Sequence, residues 1–240
     1  MRVLLCIDDT DDLESPGTGQ LADRLRSILE TKGLARCSYV TRHQLFVHPA
    51  IPYTSHNSAM CFEADATASR DDLVLACAQF LRAVAPPAAD PGLCVVDVDL
   101  LRDPASLARF GRRAKREVLD KQMAYRLAHA LGVHLSEHGG TGQGVIGALA
   151  GAGLRLDGND GRLRGALELG AEALSVARLL QHPHVEAVCT ARGEALPPDA
   201  QVRLVGKVKT VRRGGKAVLL AAREGTGGWR NCSKEELEGY

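Results

Sequence analysis

Hydrophobic positions along the chain change period several times, and each change marks an element. Residues 3–7 are an unbroken apolar run, Val-Leu-Leu-Cys-Ile, as expected of a buried strand. An acidic stretch follows at once, Asp8-Asp9-Thr10-Asp11-Asp12, and then Ser15-Pro16-Gly17-Thr18-Gly19. Leu21, Leu25, Ile28 and Leu29 recur at helical spacing, which predicts an amphipathic helix over 19–31 closed by Lys32-Gly33. The chain therefore opens as strand, loop, helix. Its acidic loop faces a helix N-terminus, where unpaired N–H groups and partial positive charge are exposed.

Residues 37–47 read as a second strand region. The polar segment after it carries Pro49 and Pro52, which keep it extended and out of a sheet centre. A strand over 59–64, a helix over 70–85, a strand over 93–100 and a two-piece helix over 104–130 suggest a βαβα unit. Residues 86–92, rich in Pro, Ala and Gly, connect two of these elements. A second glycine cluster, His138-Gly139-Gly140-Thr141-Gly142-Gln143-Gly144, precedes a helix of small residues and allows close backbone approach. Residues 156–162 read as a turn of hairpin character. Near the C-terminus, strands over 202–211 and 217–222 flank Arg212-Arg213-Gly214-Gly215-Lys216, a hairpin with a Gly-Gly turn.

Composition narrows the classes. The 240 residues are 45% hydrophobic and 25% charged with a net charge of +1, an ordinary globular balance. A domain-wide basic excess, expected of a chain that wraps nucleic acid without sequence preference, is missing. The seven cysteines are widely spaced with no Cys-x-x-Cys pair, which argues against a disulfide scaffold or a zinc ribbon. The first apolar run is too short for a signal peptide or a membrane span, so a cytoplasmic protein with no membrane partner is expected.

Four aspartates within five positions repel one another and raise carboxylate pKa values unless something offsets their charge. Mg²⁺ suits such a loop, because it takes oxygen ligands and bridges one or two carboxylates to substrate phosphates. Gly17-Thr18-Gly19 would then receive a phosphate. The alternative is a solvated acidic turn in which Asp12 or Ser15 caps the helix. The second glycine cluster lacks the Gly-Lys-Ser/Thr of a Walker loop, so it either lines a shared nucleotide cleft or permits tight helix packing. His43, His48 and His56 fit no familiar metal spacing, whereas His56 and Asn57 are candidates for substrate contact. His138, after Glu137 and beside the glycine loop, is a candidate for contacting a reacting group. Asp97 and Asp99 would share one strand face, exposed to solvent. The basic run at 112–116, with Lys207, Lys209, Arg212, Arg213 and Lys216, offers a surface for RNA or another anion. Four tyrosines and one tryptophan leave few base-stacking platforms.

Ile7-Asp8-Asp9-Thr10-Asp11 resembles the N-terminal signature of the archaeal agmatinylcytidine synthetases, which modify the anticodon wobble cytidine of an isoleucine tRNA. Residues 49–59 are similar to the family's Asn-Pro-Asn-Ile-Pro segment and the Thr-Arg-Gly-Asn-Gly-Ala after it. Residues 142–150, Gly-Gln-Gly-Val-Ile-Gly-Ala-Leu-Ala, resemble its Arg-Gly-Leu-Ile-Gly-Ala-Leu-Ala stretch, with Gln143 in place of the arginine. Thr18 falls where the family carries the threonine of its unusual kinase domain. The resemblance covers roughly residues 1–165, and its first and third motifs are the specific ones. The family's OB-fold and zinc ribbon, which hold the tRNA, are not expected in this chain.

The resemblance implies an α/β (α+β) fold, a kinase-like domain interrupted by an inserted ferredoxin-like unit. The segments would be 1–57 (kinase-like), 58–111 (ferredoxin-like insertion), 112–200 (kinase-like) and 201–240 (C-terminal hairpin and tail). It implies ATP and Mg²⁺ at the aspartate loop. Asp8, Asp9 and Asp11 would handle metal and phosphates, and Thr18 would accept a phosphoryl group or bind a phosphate. Thr10, Gly17, Gly19, Gly140, Gly142 and Gly144 would line the nucleotide, and His56, Asn57 and His138 the substrate. The expected activity is ATP- and Mg-dependent phosphoryl transfer of a kinase or ligase type, related to tRNA modification. It would act on a small or nucleoside-like substrate, with tRNA contact through a partner or a basic surface. The alternative is a catalytically silent, nucleotide-binding regulatory or RNA-associated module.

Overall fold

A computed structural model describes residues 1–51, 57–225 and 227–240. By internal packing the chain divides into two units, Met1–Asp157 and Gly158–Tyr240. The first unit runs β1 (Arg2–Asp8), α1 (Thr18–Thr31), β2 (Ala35–Cys37), β3 (Thr41–Gln44), β4 (Ser58–Ala66), α2 (Arg70–Val84) and β5 (Gly92–Asp97). It continues through α3 (Pro104–Ala114), α4 (Lys121–Leu131), β6 (His134–Glu137) and α5 (Gly144–Asp157). The chain is a mixed α/β protein, as its sequence pattern implies.

Strand order in the first unit is β6-β5-β1-β4-β3, with β2 also on β4. Every one of these pairings is antiparallel. The order β5-β1-β4-β3, with α1 and α2 as crossovers, is the split βαβ arrangement of ferredoxin-like folds. That arrangement reaches back to the first strand, because β4 and β5 flank β1 rather than each other. Strands β2 and β3 share one edge of β4, interrupted at Ser38. The Ser38 amide donates to the Glu63 carbonyl (2.8 Å) and its hydroxyl accepts from the Glu63 amide (3.0 Å).

An antiparallel sheet often leaves one face in water and then alternates apolar with polar residues. Here both faces are covered. Val3, Leu5 and Ile7 pack with Leu21, Leu25 and Leu29 of α1 and with Leu73, Phe80 and Leu81 of α2. Leu4 and Cys6 pack on the other face with Leu107 and Phe110 of α3, Ala124 and Leu131 of α4, and Leu149 of α5. This double burial is why residues 3–7 are apolar without a break.

Helix α5 lies close to its neighbours because its glycines allow it. A Cβ on Gly151 would meet the Cys6 Sγ at 2.6 Å and the Ala59 Cβ at 2.7 Å. One on Gly111 of α3 would meet the Ala150 carbonyl at 2.7 Å. The tight-packing role expected of small residues thus belongs to the helix itself.

The second unit is mostly strand: β7 (Arg162–Leu163), β8 (Ala173–Ser175), the short α6 (Val176–Leu179), β9 (Ala187–Thr190), β10 (Gln201–Arg203), β11 (Val211–Arg213), β12 (Lys216–Glu224) and β13 (Gly228–Asn231). Their order is β7-β11-β12-β13-β10-β8, with β9 parallel to β12. The expected hairpin is β11–β12, turned by Gly214 (φ 56°) and Gly215 (φ 75°). Both angles are left-handed, the geometry of a primed two-residue turn. Its first strand is shorter than 202–211, since β10 ends at Arg203 and Gly206 (φ 63°) turns the chain before β11. Strand β5 likewise stops at Asp97, whose carboxylate accepts from the Asp99 (3.0 Å) and Leu100 (3.3 Å) amides. Asp97 and Asp99 therefore share no strand face. All seven cysteines lie among the described residues and are free thiols. Among the described residues no helix is long and apolar enough to cross a membrane.

Candidate functional site

The acidic loop divides its aspartates among three tasks. Asp8 ends β1 and is buried, at 8% exposure. Desolvation pushes its carboxyl well above the usual range, and the neighbouring Asp9 charge adds to that. Asp9 adopts a left-handed backbone, with φ 53°. Burial first, then the charges of Asp90 and Asp11, raise its pKa to about 6. Asp11 turns back onto α1. Its Oδ1 accepts from the Thr18 amide (3.0 Å) and, at closer range, from the Thr18 hydroxyl. Asp11 thereby supplies the helix cap that Gly17, the N-cap residue, has no side chain to provide. Asp12 closes a local turn, its Oδ1 accepting from the Glu14 (3.0 Å) and Ser15 (2.9 Å) amides. The Ser15 hydroxyl first, and then these amide bonds, hold its carboxyl below the usual range.

Asp8, Asp9, Asp11 and Thr18 open into a pocket of about 790 Å³, counting its mouth. Its wall also includes Leu45, Ile51, Val118, Leu119 and Ile146 as apolar surface, and Asn57, Glu117 and Gln143 as polar groups. Four carboxylates and no Lys or Arg side chain line it among the described residues. Asn57 is locked in place, its amide donating to the Phe46 carbonyl (2.7 Å). Thr10 is fully buried behind the loop. Its amide donates to Thr18 Oγ1 (3.4 Å), and its own hydroxyl is a buried polar atom with no hydrogen-bond partner among the described residues.

The donor set fits a hard cation. Among the described residues no three His, Cys, Asp or Glu side chains converge into a closed metal site. Mg²⁺ needs no such cage, since it binds through one or two carboxylates and completes its shell with water and phosphate oxygens. Asp8 and Asp9, with raised pKa values and no Lys or Arg side chain on the pocket wall among the described residues, are the residues with charge to offset.

The second glycine loop is built differently. Gly144 opens α5 and lines the pocket, with Gly147 one turn later. A Cβ on Gly147 would overlap the Asp8 carboxylate, so glycine there is what lets α5 seat against Asp8. Gly140 (φ 53°) and Gly142 (φ 74°) lie outside the pocket wall. Their stretch wraps the carboxylate of Asp90, which accepts from the Thr141 amide, the Thr141 hydroxyl (2.8 Å) and the Gly142 amide (3.1 Å). The loop already holds an anion of its own.

The remaining expected residues separate in the same way. Gly17 and Gly19 sit at the start of α1, off the pocket wall. His138 is also off it. Its Nε2 meets Ser136 Oγ at 2.8 Å, and Ser136 Oγ meets His134 Nε2 at 2.9 Å. Burial lowers the pKa of both histidines. His43 is buried at 0% exposure, its Nε2 2.8 Å from Thr41 Oγ1, and His48 stacks on Phe46. His56 lies outside the described residues. The basic run at the end of α3 is partly neutralised, Arg112 by Asp157 and Arg113 by Glu117. Sequence reasoning passed over Glu117, Val118 and Leu119, which lie in an α3–α4 connection that no motif marks. It also passed over Asp90, hidden in a proline-rich loop.

No family model and no curated protein matches the chain. Solved structures do. The chain aligns with apo TiaS, an agmatidine synthetase acting on an isoleucine tRNA, at 27% identity and a TM-score of 0.56, over 64% of this chain and 35% of that one. The chain is structurally similar to TiaS. The complex of TiaS with its tRNA and ATP gives 28% identity and a TM-score of 0.57, over 64% of this chain and 36% of that one. The complex of TiaS with its tRNA, AMPCPP and agmatine gives 25% and 0.57, over 75% of this chain and 44% of that one. The chain thus spans less than half the length of these TiaS chains.

Proposed function

We infer that the first unit is an ATP- and Mg²⁺-dependent phosphoryl-transfer centre of a cytoplasmic enzyme related to tRNA modification. The observation that carries this reading is the pocket in which Asp8, Asp9, Asp11 and Thr18 meet on a wall with no Lys or Arg side chain among the described residues. The similarity to TiaS bound to ATP, AMPCPP, tRNA and agmatine supports a nucleotide in that pocket and a nucleoside-like acceptor.

Phosphoryl transfer asks a protein chiefly for positioning and charge stabilisation. Asp8 and Asp9 would hold Mg²⁺, which when bound offsets their charge and that of the phosphates. Thr18 Oγ1 is oriented from two sides, by the Thr10 amide and by Asp11 Oδ1. If Thr18 is the first acceptor, its Oγ1 bonds to the terminal phosphorus, ADP leaves, and Asp11 Oδ1 takes the hydroxyl proton. The apolar wall excludes water from this exchange and receives the uncharged part of the ligand.

The test is incubation with ATP and Mg²⁺, with and without tRNA and small amines, reading ATP hydrolysis and phosphate on Thr18. Phosphothreonine at Thr18, lost in Thr18→Ala and in Asp11→Asn, is the expected result. Asp8→Asn and Asp9→Asn variants that keep both ATP binding and turnover would refute the reading. Nucleotide binding without turnover, indifferent to Thr18→Ala, would instead identify a silent nucleotide-binding module.

A further inference from the structure

Asp90 connects three parts of the site through three different groups. Its amide donates to the Asp9 carbonyl (3.1 Å), at the one described non-glycine residue with a left-handed backbone. Its carbonyl accepts from the Gly144 amide (3.1 Å), the first residue of α5. Its carboxylate holds the Thr141 and Gly142 amides and the Thr141 hydroxyl. The glycine loop is braced from its far side as well. Lys121 Nζ donates to the Thr141 carbonyl and to Glu137 Oε2 (3.2 Å), and the Tyr125 hydroxyl donates to Glu137 Oε1 (3.1 Å). A Cβ on Gly140 would strike the Asp90 carboxylate, so the loop is shaped to this one occupant.

Successive backbone N–H groups curved around an anion form a nest, which in nucleotide-binding loops receives a phosphate. Here the same device receives a carboxylate of the chain itself. We propose that Asp90 is a positioning residue. It locks the glycine loop, and through its own backbone fixes the left-handed turn that presents Asp8 and Asp9 to the pocket. The proposal rests on the phosphoryl-transfer reading for what the pocket binds, and on geometry alone for the coupling between the loops.

Two substitutions separate positioning from charge. In Asp90→Asn, Oδ1 still accepts from the two amides, and Nδ2 donates to a Thr141 hydroxyl rotated to accept. Asp90→Ala removes all three contacts. The first readout is amide hydrogen exchange at Thr10 and Thr18, whose amides donate to Thr18 Oγ1 and Asp11 Oδ1 rather than to Asp90. The second is calorimetric titration with Mg²⁺ and a non-hydrolysable ATP analogue, and thermal melts establish that each variant is folded. Asp90→Ala is expected to speed exchange at Thr10 and Thr18 at least tenfold and to weaken the analogue at least tenfold. Asp90→Asn should stay within about threefold of the parent in both. Unchanged exchange in Asp90→Ala overturns the proposal. So does an Asn variant as impaired as the Ala variant, which would make the charge of Asp90 the active feature. A parent protein that binds no analogue sinks the phosphoryl-transfer reading and leaves the exchange experiment to decide the coupling.

Discussion

Two loops that each lead from a strand into a helix, one after β1 and one after β6, behave in opposite ways. The acidic loop after β1 gathers negative charge that, among the described residues, no Lys or Arg side chain on the pocket wall offsets, and it opens into that pocket. The glycine loop before α5 offers N–H groups and has already filled them with Asp90. A glycine-rich turn before a helix is therefore weak evidence of a bound phosphate, since an internal carboxylate satisfies the same donors. Uncompensated buried charge is stronger evidence, because it costs stability until a ligand arrives.

The largest effect that would sharpen this contrast belongs to Gly142. With φ 74°, and with its missing Cβ directed into the Glu137 carboxylate, Gly142→Ala combines backbone strain with displacement of a braced side chain. A loss of about 3 kcal/mol is expected, of which roughly 1–2 is the left-handed penalty alone. Gly33→Ala measures that penalty separately, because Gly33 (φ 65°) has nothing within 4 Å of its Cβ position. Urea midpoints of the two variants give the comparison. Equal losses would show that the glycine loop is not packed against Glu137.

The next effect concerns Asp9 and has a defined pH window. Its pKa rises from the ordinary 3.8 in the unfolded chain to about 6 in the folded one. A raised acid favours the folded state while it is protonated, so its penalty is absent below about pH 4, grows between the two values and is complete above about 6. Asp9 is partly exposed, and screening leaves on the order of 1–2 kcal/mol at neutral pH. Without divalent cation, Asp9→Asn should therefore melt higher than the parent at pH 7.5 and equal to it at pH 4. A variant less stable at both pH values would show that Asp9 is held by favourable contacts, which removes the argument for a cation.

The opening strand–loop–helix was legible because period and charge changed together at residues 8–12. The interchangeable aspartates were not. A metal site and a capped, solvated turn were alternatives in the sequence, and the structure distributes both among neighbours: Asp8 and Asp9 face the pocket, Asp11 lines it while capping α1, and Asp12 closes the turn. Spacing cannot assign those tasks, because the left-handed turn at Asp9 breaks the alternation that would tell one side from the other. Asp90 was invisible for a related reason, since its partners lie more than 50 positions away. Glu117 and its neighbours needed the α3–α4 turn to bring them to the pocket. In the second unit, short strands such as β7 and β8 carry too few residues for a period to show.

The smallest effect tests the division of labour itself. Asp12 lies beside the other aspartates in sequence, yet its carboxylate is spent on the Glu14 and Ser15 amides, and Ser15 Oγ accepts from the Asp12 amide at 2.8 Å. Asp12→Ala removes local turn bonds at a solvent-facing position, where water replaces them at little cost. Calorimetry with Mg²⁺ and the ATP analogue should then give an affinity within about twofold of the parent, while Asp9→Asn lowers it by a hundredfold or so, about 2.7 kcal/mol. A common loss in both variants would mean that the loop binds its cation as an undivided cluster. Asp12 would then no longer stand apart from the carboxylates that line the pocket.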